Sequence, residues 1–238
     1  MRVLVLGASG ATGKLVVKQL IKRKINLQIV IRASAVLSEE IRENPLVDVV
    51  RGNINEFTDS EMNNLLRNCD AIVSCLGHNV SLKGLFGKPR FLVFDAIRSI
   101  SETVKKGANK KVKLVLMSTT AYTNTIIGEA NSIGEKIILS LLNLLLPPHR
   151  DNVSAASYLI KEIGKDHEKI EWVAVRPDTL VNNSDESSYE VYESPVRSPI
   201  FNAGITSRIN VSHFMTELLS NEALWQEWKN KTPVVYNK

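Results

Sequence analysis

Residues 3–14 read Val3-Leu4-Val5-Leu6-Gly7-Ala8-Ser9-Gly10-Ala11-Thr12-Gly13-Lys14. An apolar run of strand length opens directly into a glycine loop, and the loop opens into the helical pattern Lys14–Arg23. Gly7, Gly10 and Gly13 have the spacing G-x-x-G-x-x-G. At a first strand-to-helix turn, the first glycine permits the tight turn, the second lets a pyrophosphate approach the backbone, and the third lets the helix pack on the strand. Free N–H groups and the helix dipole then face an anion. Placement between strand and helix, rather than the glycines alone, makes the pattern specific for a dinucleotide.

The same alternation continues outward. Strands are expected at Val3–Leu6, Leu27–Ile31, Val47–Val50, Ala71–Cys75, Leu114–Met117 and Trp172–Val175, each rich in Val, Ile or Leu without polar alternation. Helical patterns lie between them at Lys14–Arg23, Ser38–Arg42, Asp59–Arg67, Phe91–Lys105, Gly128–Leu145 and Asp151–Gly164, with Asp151 as N-cap of the last. This predicts an α/β fold, a Rossmann-type doubly wound parallel sheet. One domain is expected over residues 1–238, with a core to about 180 and a small substrate-side lobe over about 181–238. Residues 182–208 show little periodicity, and Tyr189, Tyr192 and Phe201 are candidates to shape an apolar pocket there. A short helix from about Ser212 and a strand at Pro233–Tyr236 close the chain.

Composition limits the function. The chain has 238 residues, 44% hydrophobic and 23% charged, with net charge +5. That supports a sizeable core and excludes disorder. The mild positive excess suits an anionic ligand but not nucleic acid. Lys105, Lys106, Lys110, Lys111 and Lys113 read as a solvated face, with no aromatic residues between them. Two cysteines, Cys69 and Cys75, exclude a disulfide framework, and the four histidines have no metal-ligand spacing, so no metal is expected. MRVLVLG shows no secretory signal, and the apolar stretch from Ile133 to Leu146 is too short to span a membrane. A cytoplasmic protein without membrane contact, monomer or homodimer, is expected. The apolar stretch Ile137–Leu146 reads as buried core, or in part as a subunit contact.

The segment after the second strand chooses the cofactor. A carboxylate there would bind the ribose hydroxyl of NAD, and an arginine accommodates the 2′-phosphate of NADP. The sequence is Ile31-Arg32-Ala33-Ser34, with no acidic residue before Glu39. Arg32 offers a charged planar fork and Ser34 a hydroxyl, so NADP (NADPH) is expected and NAD is disfavoured.

These landmarks, with Gly52-Asn53-Ile54, Asp70-Ala71-Ile72-Val73, Leu76-Gly77, Met117-Ser118-Thr119 and Trp172 to Pro177, resemble the atypical short-chain dehydrogenase/reductase superfamily. The resemblance is to its NmrA-like and biliverdin-reductase-B-like NAD(P)H-binding branch, and it spans residues 1 to about 219. It implies cofactor contacts from Gly7, Ser9, Gly10, Ala11, Thr12 and Gly13, and from Arg32 and Ser34. Asn53 and Ile54 would lie at the adenine, Asn53 replacing an aspartate. Cys75, Leu76 and Gly77 would lie along the ribose, and Ser118, Thr119, Pro177 and Leu180 near the nicotinamide. The superfamily's Tyr-x-x-x-Lys pair is absent: the fourth residues after Tyr122, Tyr158, Tyr189 and Tyr192 are Ile126, Glu162, Glu193 and Val196, and Tyr236 has only two residues after it. Tyr158 and Lys161, three apart, do not replace it. Ser118, Tyr122 and His149 remain as candidate catalytic groups, and His78-Asn79 lies on the ligand side of the sheet. His149 reads either as a proton donor or as a solvated loop residue. The expectation is an NADP(H)-dependent reductase transferring hydride to a small carbonyl, quinone or flavin-like substrate, or a non-catalytic NADP(H)-sensing or scaffold protein.

Overall fold

Strand β1 (Arg2–Leu6) sends alternate side chains to opposite faces: Val3 and Val5 join one apolar cluster, Leu4 and Leu6 another. The same division repeats in β2 (Asn26–Ile31), β4 (Ala71–Ser74), β5 (Val112–Met117) and β6 (Ile170–Pro177), so these strands are apolar on both sides. The computed structural model describes residues 1–78, 87 and 89–238. Asn79 lies outside them.

Among the described residues, eight strands form one sheet in the order β3-β2-β1-β4-β5-β6-β10-β8, where β3 is Val47–Arg51, β8 Tyr189–Tyr192 and β10 Val234–Asn237. Every pairing is parallel except the last, β10 with β8. The order reverses at β1/β4, which is where open parallel sheets bind ligands beyond the carboxyl ends of their strands. Helix α1 (Gly13–Lys22) covers one face with the later helices α7 (Arg208–Ser220) and α8 (Glu222–Trp228). The other face is covered by α3 (Asp59–Leu66), α4 (Leu92–Gly107) and α6 (Pro147–Tyr158), α6 running on into a π-helical turn, Leu159–Ile163. Helix α2 (Glu39–Arg42) is a single turn, and α5 spans Ile133–Leu145.

Several expectations are corrected. Residues 179–208 contain short strands, β7 (Thr179–Val181) paired with β9 (Ile205–Ser207), besides β8 on the main sheet. Pairings such as Val235 with Val191 join residues far apart in sequence, so no local periodicity betrays them. Helix α7 begins at Arg208, not near Ser212, capped by the Ser207 side chain. Helix α6 begins at Pro147, whose missing N–H costs nothing in a first turn. Asp151 is therefore not its N-cap but a fully buried interior residue.

The expectation of a core helix also fails. Helix α5 starts with a capping box between Ser132 and Glu135, and only Glu135 and Leu139 of it are buried. Ile133, Ile137, Leu141, Leu144 and Leu145 are each at least half exposed. Among the described residues, no helix is long and apolar enough to cross a membrane.

Candidate functional site

The loop after β1 is shaped by backbone contacts that only glycine allows at two positions. Gly7 has φ +73°, and a Cβ there would lie 2.5 Å from the Cys75 carbonyl oxygen. A Cβ on Gly13 would lie 2.1 Å from the Gly7 carbonyl oxygen. These two glycines bring β1, the end of β4 and the start of α1 together. Gly10 is different. Its added Cβ would meet only the Gly7 carbonyl, at 3.1 Å, and its exposed face is open. No acidic residue occupies the first turn of α1, so the positive end of its dipole is not offset by a carboxylate of its own; the Lys14 and Leu15 amides donate to the Gly10 and Thr12 carbonyls at 3.0 and 2.9 Å.

A cleft runs across the ends of β1, β2 and β4, lined by Gly7, Ser9, Gly10, Arg32, Asn53, Ile54, Cys75, Leu76 and Gly77, together with Gly52 and Leu92. Nine positions singled out from the sequence thus meet in one place. Ala11, Thr12 and Gly13 form the turn behind it, Thr12 and Gly13 buried and Ala11 exposed. Ser34 is exposed and does not line the cleft. The Asn53 amide is occupied within its own turn, accepting from the Asn55 N–H at 3.3 Å and donating to Glu56 Oε1 at 2.8 Å. Burial pushes the Cys75 thiol up to about 12, so it stays protonated.

The cleft's charge is one-sided. Arg32 is exposed at its rim, and no carboxylate lines it among the described residues. Arg51, which sequence reasoning passed over, braces the adjoining loop by donating to the carbonyls of Ala33 and Ala35, each at 3.2 Å. Its position one strand away could have been found only from the parallel register Ile31–Arg51.

A second cleft, of about 270 Å³, lies beyond the end of β5 and is lined by Ala121, Tyr122, Thr123, Asn131, Lys136, Leu139, Ser140, Asn143, His149 and Val153. Tyr122 and His149 are thus brought together. Both ring nitrogens of His149 are shielded from solvent with no hydrogen-bond partner among the described residues, and burial lowers its pKa. It is half-buried rather than a solvated loop residue, and it is neutral at pH 7. Burial raises the Tyr122 pKa, which keeps its phenol protonated. Ser118 lines neither cleft. Its amide donates to the Val175 carbonyl at 2.7 Å, and its buried hydroxyl has no partner among the described residues. Thr119 Oγ1 accepts from the Ala121 N–H at 3.2 Å. Pro177 ends β6 and Leu180 packs against the first apolar cluster, both outside the two clefts.

The other tyrosines are committed elsewhere. Tyr158 donates to Glu102 Oε1 at 2.9 Å against α4, so it forms no pair with Lys161. Tyr189 meets His213 Nδ1 at 2.8 Å and packs against the first apolar cluster, and Tyr192 donates to Glu190 at 2.6 Å. Phe201 is 64% exposed. Among the described residues, no group of three or more His, Cys, Asp or Glu side chains could hold a metal.

A glycine cradle at the sheet's switch point with a basic rim defines a nucleotide-binding α/β protein. A family model described as NAD(P)H-binding matches residues 7–222, and the chain belongs to this family. No curated protein matches its sequence. Its fold is that of short-chain dehydrogenases/reductases. A short-chain dehydrogenase/reductase from Veillonella parvula in complex with NADP is 15% identical, with TM-score 0.67 over 99% of this chain and 94% of that one. An anaerobillin reductase from Escherichia coli is 15% identical, with TM-score 0.67 over 100% and 97%. A candidate NADH-flavin reductase from Streptococcus pneumoniae is 14% identical, with TM-score 0.68 over 100% of both chains.

Proposed function

We infer that the protein is an NADP(H)-dependent reductase acting on a small carbonyl, quinone or flavin-like substrate without a Tyr-x-x-x-Lys pair. The observation that carries this reading is the cleft of glycine backbone with Arg32 at its rim and, among the described residues, no carboxylate in its lining. The exposed backbone of Ser9, Gly10 and Ala11, at the positive end of the α1 dipole, would meet the pyrophosphate, and Arg32 would meet a 2′-phosphate through two parallel hydrogen bonds. The bound nicotinamide would supply a hydride; the protein's work is to hold the acceptor and provide the accompanying proton.

The second cleft suits that work. Its size fits a small molecule, and among the described residues its lining carries one formal charge, Lys136, and no carboxylate, which favours a neutral or anionic acceptor. Tyr122, held protonated by burial, can donate to a reduced oxygen and recover its proton from water. Neutral His149 can hydrogen-bond the same substrate but cannot serve as an imidazolium acid at pH 7.

Steady-state oxidation of NADPH with quinones, flavins and α,β-unsaturated carbonyls tests the reading. Turnover with one of them is expected, and Tyr122→Phe should slow it about tenfold without weakening cofactor binding. Tight binding of both NADP and NADPH with no turnover across that panel would favour a non-catalytic NADP(H)-sensing protein, which the missing Tyr-x-x-x-Lys pair permits.

A further inference from the structure

Asp151 has a carboxylate with no exposure and three donors around it. His78 Nε2 meets Oδ2 at 2.8 Å, the Val93 N–H donates to Oδ2 at 2.8 Å, and the Phe94 N–H donates to Oδ1 at 2.8 Å. Val93 and Phe94 belong to the first turn of α4. That helix has Phe91 at its N-cap position, with no side-chain acceptor to offer. A residue from the interior of α6 therefore caps a different helix, where a negative charge also opposes the positive end of the dipole.

The three donors matter for their neighbours. His78 directly follows Leu76 and Gly77, which line one side of the cofactor cleft, and Val93 directly follows Leu92, which lines another. Two residues before Asp151 on the same helix, His149 lines the second cleft. One buried carboxylate thus ties both sides of the cofactor cleft to the helix that borders the proposed substrate cleft.

The geometry points to Asp151 as a positioning residue for the dinucleotide site, acting through His78 on the loop after β4 and through two amides on the start of α4. This rests on the cofactor reading above. Preorganisation of this kind is felt in affinity: a cleft that must be reordered on binding loses part of its binding energy. Because Asp151 sets the cleft walls rather than reading a phosphate, its loss should weaken NADP and NAD by the same factor. Removal of Arg32 should weaken NADP alone.

Calorimetric titration of NADP and NAD, well below the melting temperature, tests this in wild type, Asp151→Asn, His78→Phe and His78→Gln. Asn keeps one acceptor oxygen and turns an NH2 group toward a donor. Asp151→Asn should bind both cofactors about tenfold more weakly, with the NADP/NAD ratio unchanged. His78→Phe should show a smaller loss for both, and His78→Gln, which keeps a donor, should recover most of it. If Asp151→Asn fails to fold, the two His78 variants decide. Lower melting temperatures with wild-type affinities in all variants would make Asp151 a structural cap only and overturn the proposal. Loss confined to NADP would overturn it too. A wild type that binds neither dinucleotide would sink the cofactor reading, and this inference with it.

Discussion

Arg32 stands exposed at the rim of the glycine-loop cleft with no ion pair among the described residues, and the neighbouring Arg51 has its own task holding the 33–35 loop. A 2′-phosphate would meet a guanidinium not already occupied by a carboxylate. Charge-assisted bonds of that kind are worth about ten- to a hundredfold in affinity. Arg32→Ala should lose that factor for NADP while weak NAD binding stays nearly constant, and the wild-type preference should shrink as salt rises. Side-by-side titrations check it; equal losses for both cofactors would show that Arg32 does not read the phosphate. His149 supports a second prediction. Its folded pKa lies below the ordinary value of about 6.5 because burial disfavours the charged ring. Above that value both folded and unfolded forms are neutral and stability does not depend on this group. As pH falls below it, the unfolded chain takes the proton first, so stability drops until the pH passes the folded pKa. Urea unfolding at pH 7.5 and 5.5 should show a larger acid loss in wild type than in His149→Gln. Identical losses would mean that the ring titrates normally.

At the scale of elements, helix α5 shows what an apolar pattern can and cannot say. Ile133, Ile137, Leu141 and Leu144 repeat at helical spacing, and such a stripe ordinarily faces a core. Here the inward face is taken by Glu135 and Leu139, with Glu135 held ionised by the Ser198 and Ser132 hydroxyls and the Ser132 amide. Periodicity reveals a stripe, but not which side of a helix meets the sheet when apolar residues occur all around it. The consequence is measurable. Leu144 is 78% exposed, so Leu144→Glu should change unfolding free energy by no more than about 0.5 kcal/mol. Truncating a buried leucine such as Leu114 to alanine should cost about 2–5 kcal/mol. A loss of the larger size in Leu144→Glu would restore the core reading. Helix α6 makes a similar point. Asp151, shortly after Pro147-Pro148 and at the head of a helical pattern, has the appearance of an N-cap, and it is indeed a cap, but of α4, 57 and 58 residues away in sequence. Local pattern carries the capping chemistry and not the address.

For the molecule as a whole, legibility follows how local the physics is. The six parallel strands before residue 178 and the glycine loop were readable because each is a contiguous run whose two-sided burial, or whose turn, depends on adjacent residues. The meeting of the glycine loop with the ends of β2 and β4 in one cleft was readable for the same reason, since the strand ends that form it follow from topology. Contacts made across long sequence distances were not: Arg51 beside Arg32, Asp151 beneath Leu92, and above all Arg176. This arginine, the penultimate residue of β6, is fully buried, and all five of its N–H donors are engaged. It pairs with both Glu129 oxygens at 2.6 and 2.8 Å and donates to the carbonyls of Thr232, Tyr122 and Glu193. In this way it fastens the sheet to the loop carrying Tyr122, to the approach to β10 and to the segment after β8. An arginine cannot shed its charge, so removing Glu129 would leave an uncompensated cation in the interior. Breaking a buried pair from one side costs about 3–5 kcal/mol. At about 2–4 °C per kcal/mol for a chain of this size, Glu129→Ala should melt about 6–20 °C lower than wild type. The double variant Glu129→Leu/Arg176→Met, which removes both charges, should recover part of that loss despite the three carbonyls left without their donor. Calorimetric melting of the single and double variants tests this. A shift below about 2 °C in the single variant would mean that water reaches the Arg176 guanidinium and that the pair does not hold these segments together.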